Sequence, residues 1–275
     1  SSQICVNQYL PAHWQTTAKP TTAQKSADST VPEANSTSVP ADCRVEVSAQ
    51  WNGSLEQGQL SLQGAGQGLH LQAQSDLELD HAFPLRDTFI DLVLPDESGV
   101  QARLDWSHSA EQPNTEHVKG TIHVNRFDVG AWIPNQGLPA VLSFDSSYDV
   151  VLSQGGKQLD AAKINLTIKP GSRWNNEDVA GHVIADVGRL ELENQPVLWQ
   201  AYYVENSDID LKLGANSVLL KGAFGLKEHA LKVNVDLPNM AQIWPDLDTI
   251  GPTKLDAELK GTLHEHALEA KLLHV

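Results

Sequence analysis

Val45-Glu46-Val47-Ser48-Ala49-Gln50-Trp51 decides the fold. In an extended chain Val45, Val47, Ala49 and Trp51 fall on one side and Glu46, Ser48 and Gln50 on the other, the period-two signature of a strand with one covered and one wet face. The same alternation continues outward from this stretch almost to the end of the chain. Leu60 and Leu62 are separated by Ser61; Leu69, Leu71 and Ala73 alternate with His70 and Gln72; Leu77 and Leu79 alternate with Asp76, Glu78 and Asp80. Val100, Ala102, Leu104 and Trp106 do so with Gln101, Arg103 and Asp105, and further runs begin at Gly120, Ser147, Ala161, His182, Leu190, Ser207, Ser217, Ala230, Lys254 and Ala267. Turn chemistry at Asn52-Gly53, Gly64-Ala65-Gly66, Asp96-Glu97-Ser98-Gly99, Gly155-Gly156 and Gly225 separates the runs at the spacing of an antiparallel meander. The chain is therefore expected to be all-β.

More than a dozen short strands are too many for one immunoglobulin-like sandwich, and an aromatic content of 6% is low for a propeller built on repeated aromatic motifs. An extended sheet with one apolar face has three ways to hide it. It closes into a barrel, stacks on a second sheet, or curls into a trough whose inner face meets a ligand, and alternation alone leaves these open.

Across its 275 residues the chain carries 19 Lys and Arg against 35 Asp and Glu, a formal charge of −16. Such a surface repels phosphate backbones, so nucleic-acid binding is excluded as an expectation. No stretch approaches the roughly 18 apolar residues of a membrane-spanning helix, and no export signal opens the sequence. The only Met is Met240, and the last run is still alternating at Val275, so the chain reads as an internal segment of a longer protein.

Three regions are expected: a strand-like piece at residues 1–10, a disordered Thr/Ser/Pro/Ala-rich excursion at 11–42, and a repeating sheet at 43–275. The excursion has too few large aliphatic side chains to offset its ordering entropy. Cys5 and Cys43 flank it. A disulfide between them would hold the N-terminal piece against the sheet, with a chain-entropy effect of about 4 kcal/mol, and would imply an oxidising compartment.

A weak internal repeat runs from Thr121 to Leu152 and again from Leu231 to Leu263. Each copy has an alternating strand, a short non-alternating turn, a Gly-bearing connector and new strands. The turns contain Trp132-Ile133-Pro134 and Ile243-Trp244-Pro245. In such a turn the indole faces the neighbouring sheet and the Pro ends the helical pitch, so Trp132, Pro134, Trp244 and Pro245 are expected to be plugs that cap the end of an open sheet.

This unit, with its Trp-Pro turn followed by Leu255-Asp256-Ala257-Glu258-Leu259-Lys260-Gly261-Thr262-Leu263, resembles the repeat of the TamB and AsmA-like family of Gram-negative envelope proteins. The likeness is clearest from Asp208 to Leu272, traceable from Thr121 to Leu152, and absent from the first 43 residues. The resemblance implies an extended, curled, mostly antiparallel sheet forming an apolar groove, with short helical turns between repeats. It further implies a periplasmic segment of a protein anchored in the inner membrane, which bridges to the outer membrane, carries phospholipid and supports outer-membrane protein assembly. The implied partners are phospholipid acyl chains and, through regions outside this segment, a TamA-like outer-membrane barrel.

No family motif assigns chemistry to single residues, so the groove candidates are the inward positions of the alternating strands. They are Leu60, Leu62, Leu69, Leu71, Leu77, Leu79, Leu104, Ile122, Val124, Ile209, Leu211, Leu213, Leu231, Val233, Val235, Leu255, Leu259 and Leu268. Each methylene buried along such a stripe contributes about 0.8 kcal/mol, so partial burial of one acyl chain is enough for binding. The other reading of the same stripe is the dry core of a closed sandwich, in an extracellular adhesin or passenger-type module.

Catalytic chemistry finds no foothold in the sequence. His264 and His266 are the nearest pair among 11 scattered His, and no third zinc ligand is visible. Nucleophile elbow, phosphate loop and Cys-x-x-Cys are lacking, no cofactor is implied, and Asp76, Glu78, Asp80, Asp208 and Asp210 read as solvated strand faces.

Overall fold

The computed structural model describes residues 2–5, 44–54, 56–66, 68–79, 84–108, 114–129, 139–189, 202–225, 229–261 and 266–274. The excursion at 11–42, Cys43, Trp132 and Pro134 lie outside the described residues. The first strands are β1 (Ser2–Cys5), β2 (Arg44–Gly53), β3 (Gln57–Gly66), β4 (Leu69–Glu78), β5 (Leu85–Val93), β6 (Gly99–His108), β7 (Glu116–Asp128) and β8 (Ala140–Ser153). After them come β9 (Gln158–Ile168), β10 (Arg173–Trp174), β11 (Glu177–Arg189), β12 (Tyr202–Leu213), β13 (Asn216–Phe224), β14 (His229–Leu237), β15 (Thr253–Gly261) and β16 (His266–His274).

All sixteen strands belong to one antiparallel sheet in chain order, with β9 and the two-residue β10 sharing the position between β8 and β11. The protein is thus all-β. Among the described residues β1 pairs only with β2 and β16 only with β15, so the sheet does not close into a barrel.

The sheet is curled, and its ladder slips at Ser75/Leu77, Val124/Phe127, Val151/Leu152, Asp186/Val187 and Val204/Ser207. Such bulges bend a strand and sharpen its twist, which is how a long sheet acquires curvature. At one of them Arg126 takes φ 49°, and its backbone N–H donates to the Ser143 hydroxyl at 2.8 Å.

Tight turns return the chain at several of the described strand ends. Asn175 and Asn176, at φ 50° and 65°, make the two-residue connection from β10 to β11, the left-handed pair that matches strand twist. The link from β5 to β6 is set by Asp96, whose carboxylate accepts the Ser98 N–H at 3.1 Å and the Ser98 hydroxyl at 2.6 Å.

One turn signal was misplaced. Gly64-Ala65-Gly66 lies inside β3, because Gly64 and Gly66 face Leu71 and Leu69 across the ladder, and the reversal comes at Gly68. The apolar side chains that are truly buried are few for a sheet of this size: Val45, Leu94, Trp106, Val118, Val124, Ala140 and Ala162 among the described residues.

Candidate functional site

Residues directly opposite one another on neighbouring strands share a face, so the register can be followed across the whole sheet. One row runs Val47, Gly64, Leu71, Leu92, Val100, Val124, Phe144, Ile168, Gly181, Leu211, Val218, Val235, Leu255, Leu272. It crosses fourteen strands without a polar residue. The row beside it runs Ala49, Leu62, Ala73, Ile90, Ala102, Ile122, Ser146, Leu166, Val183, Ile209, Leu220, Val233, Ala257, Ala270, with Ser146 its one polar member. A third row is more mixed, joining Leu60, Leu104, Leu231, Leu259 and Leu268 through Ser75, Thr88, Gly120 and Ser207.

The structure therefore brings seventeen of the eighteen groove candidates to one face, with Leu69, Leu77 and Leu213 on the same side at its margins. Leu79 is the exception. β4 ends at Glu78, and Leu79 sits in the turn beyond it, its N–H bonded to the Glu56 carbonyl and its side chain 51% exposed. Ile90, Phe144, Leu166 and Val218 belong to the face and were not among the candidates; their strands carry the same alternation, so the signal was present.

Coverage of this face separates a trough from a core. From Leu60 to Leu259 the candidates are half-buried apart from Val124, which is buried, and Leu79; Trp51, Ile90 and Ile164 on the same face remain 39%, 38% and 40% exposed. A dry sandwich interior would hide these side chains almost completely. The face is apolar and open.

At one end of β6 and β7 it carries a polar margin. The Trp106 indole N–H donates to the buried Glu116 carboxylate, while Arg86 donates to Glu78 at 2.9 Å and to the Trp106 carbonyl at 3.2 Å. At the opposite ends of β12 and β13 the link from β14 to β15 folds across the sheet in two 3-10 turns, Met240–Gln242 and Pro245–Leu247.

The expected plug at Trp244-Pro245 is here. Trp244 precedes the second turn and lies with its ring centroid 6.4 Å from that of Trp174, tilted by 39°. The Trp174 indole donates to the Ile243 carbonyl at 2.8 Å, the Asn175 amide to the Ala241 carbonyl at 3.0 Å, and the Gln242 amide to Glu177 at 2.9 Å. Sequence reading did not single out Trp174; its partners lie nearly seventy residues away. Beneath the link is an apolar cavity of about 340 Å³ walled by Leu142, Ile168, Trp174, Val179, Leu211, Leu213, Val218, Leu237 and Ile243.

The opposite face is polar and laced with ion pairs rather than uniformly acidic. Lys169 and His123 flank Asp145 at 2.6 and 2.7 Å and hold its carboxyl below the usual range. Lys221, helped by His182, does the same for Asp208. Exposed pairs of this kind contribute little each. On the apolar face, between Gly120 and Ile164, burial pushes the Tyr148 phenol up.

Cys5 pairs with Arg44 in the ladder; Cys43 lies outside the described residues. His264 is likewise outside the described residues, among which no group of three or more His, Cys, Asp or Glu could hold a metal ion. Comparison with protein-family models, curated proteins and solved structures finds no match to this chain.

Proposed function

We propose that the apolar face shields phospholipid acyl chains, and that the chain is a periplasmic segment of an envelope-bridging protein of the TamB and AsmA-like kind. On this reading the parent protein sits in the inner membrane, passes lipid toward the outer membrane and supports the assembly of proteins there with a TamA-like barrel. The observation that carries the proposal is the uninterrupted apolar row from Val47 to Leu272, most of whose side chains between Val47 and Leu255 stay half open.

At about 4.8 Å per strand, the fourteen strands that this row crosses measure about 60 Å along the sheet, roughly four times the depth of one leaflet's hydrocarbon. Dispersion and desolvation supply the affinity without directional bonds, so a chain can slide from strand to strand with its head in water. The ion pairs of the opposite face keep the outer side wetted.

Native mass spectrometry of protein purified without detergent tests the proposal. Copurifying phospholipid supports it; protein that is lipid-free and unreactive to acyl probes overturns it for this segment and favours a surface-contact module.

A further inference from the structure

The cavity beneath the β14–β15 link differs in kind from the other depressions of the described surface. A depression of about 650 Å³ on the polar face is lined by charged groups such as Asp87, Arg103, Lys119 and Asp186, whereas the cavity of about 340 Å³ under the link presents aliphatic and indole surface. Its polar neighbours are already spent. The Asn216 amide donates to the carbonyls of Leu213 and Asn239 and to the Gln242 side chain, its oxygen accepts the Asn239 N–H, and the Trp174 indole N–H goes to the Ile243 carbonyl. Lys212 and Ser217, also at its margin, belong by register to the opposite face. A head group would find no free donor or acceptor inside, while a hydrocarbon needs none.

The cavity is also continuous with the groove. Ile168, Leu211 and Val218 are both members of the apolar row and walls of the cavity. We infer that it is a chain-end pocket, which receives the terminal hydrocarbon segment of one unbranched acyl chain while the link from β14 to β15 stops the chain from leaving sideways. This rests on the acyl-chain reading of the face. Its volume is about twice that of the roughly 150 Å³ apolar cavity that takes a benzene, which leaves room for about a dozen carbons.

Saturated fatty acids brominated either on the terminal carbon or beside the carboxyl test the inference, with tryptophan fluorescence as the readout. The terminal bromine should quench strongly and the carboxyl-side bromine weakly, and the difference should shrink in Trp174→Phe and vanish when Trp244→Phe is added, since the two rings lie 6.4 Å apart. In an unbrominated series, affinity should rise about fourfold per added methylene up to about a dozen carbons and less steeply beyond, where added carbons lie in the open groove, and Val218→Phe should move that break to shorter chains. Equal quenching from the two bromine positions in the unaltered protein, or a break unmoved in a folded Val218→Phe, overturns the pocket while leaving groove binding intact. Absence of acyl binding anywhere on the protein overturns both readings.

Discussion

The side chain of Asn216 pairs with the backbone of Asn239 as one peptide pairs with another, donating to its carbonyl at 2.8 Å and accepting its N–H at 3.1 Å. Asn216 is 3% exposed and opens β13; Asn239 opens the link from β14 to β15. A buried amide thus ties the strand ends to the segment that crosses them. Asn216→Leu keeps the bulk but leaves the Asn239 N–H without its acceptor, while the Asn239 carbonyl keeps the Gln242 N–H, so it should cost about 1 kcal/mol in urea unfolding. Amide exchange across Met240 to Ile250 should accelerate in the variant more than exchange within β3 and β4, and equal acceleration everywhere would contradict this assignment.

Val233 faces the half-open stripe outside the cavity under the link. Val233→Glu should leave the far-ultraviolet dichroism and the unfolding midpoint close to those of the parent, within about 1 kcal/mol, because the carboxylate can reach water. Acyl-probe binding should fall. Unfolding of this variant would instead mark the stripe as a sealed core.

Ser172 is 1% exposed and interrupts the passage from β9 to β10. Its hydroxyl accepts the Ser143 N–H at 3.0 Å and lies 2.9 Å from the carbonyls of Ser143 and Lys169, one of which takes its proton. It fills the rung that the ladder lacks there. Ser172→Ala should lower stability by about 1–3 kcal/mol, measured by chemical denaturation, with acyl binding retained in the folded fraction.

Asp145 is held below the usual carboxylate range, chiefly by Lys169 and then by His123. A depressed folded value means that its contribution is fully present above the unfolded Asp range and is lost as pH falls through the folded value. Melting curves below about pH 4 should therefore be less steeply acid-sensitive in Asp145→Asn than in the parent. The effect should be small and shrink with added salt, since the pair is exposed; an unchanged acid limb would count against it.

Much of the fold was legible because a strand's period is two: Leu231, Val233 and Val235 had to share a side whatever their partners. That is why seventeen candidates chosen by alternation alone reached one face. Leu79 failed because periodicity does not say where a strand stops. Gly64 failed because a glycine that fits a turn also fits a ladder position opposite Leu71, where little side-chain room is needed.

The sequence by itself determined that the chain alternates, which side chains travel together, and that a Trp-Pro turn stands between two strands. Whether the apolar face would be sealed or left open was decided only by the tertiary structure, since coverage depends on which elements lie over a face and not on the spacing within a strand. The partnership of Trp174 with Trp244 was decided there too, because it joins segments nearly seventy residues apart that local pattern cannot connect. Curvature likewise comes from bulges such as that at Arg126, whose left-handed backbone donates its N–H to the Ser143 hydroxyl of another strand.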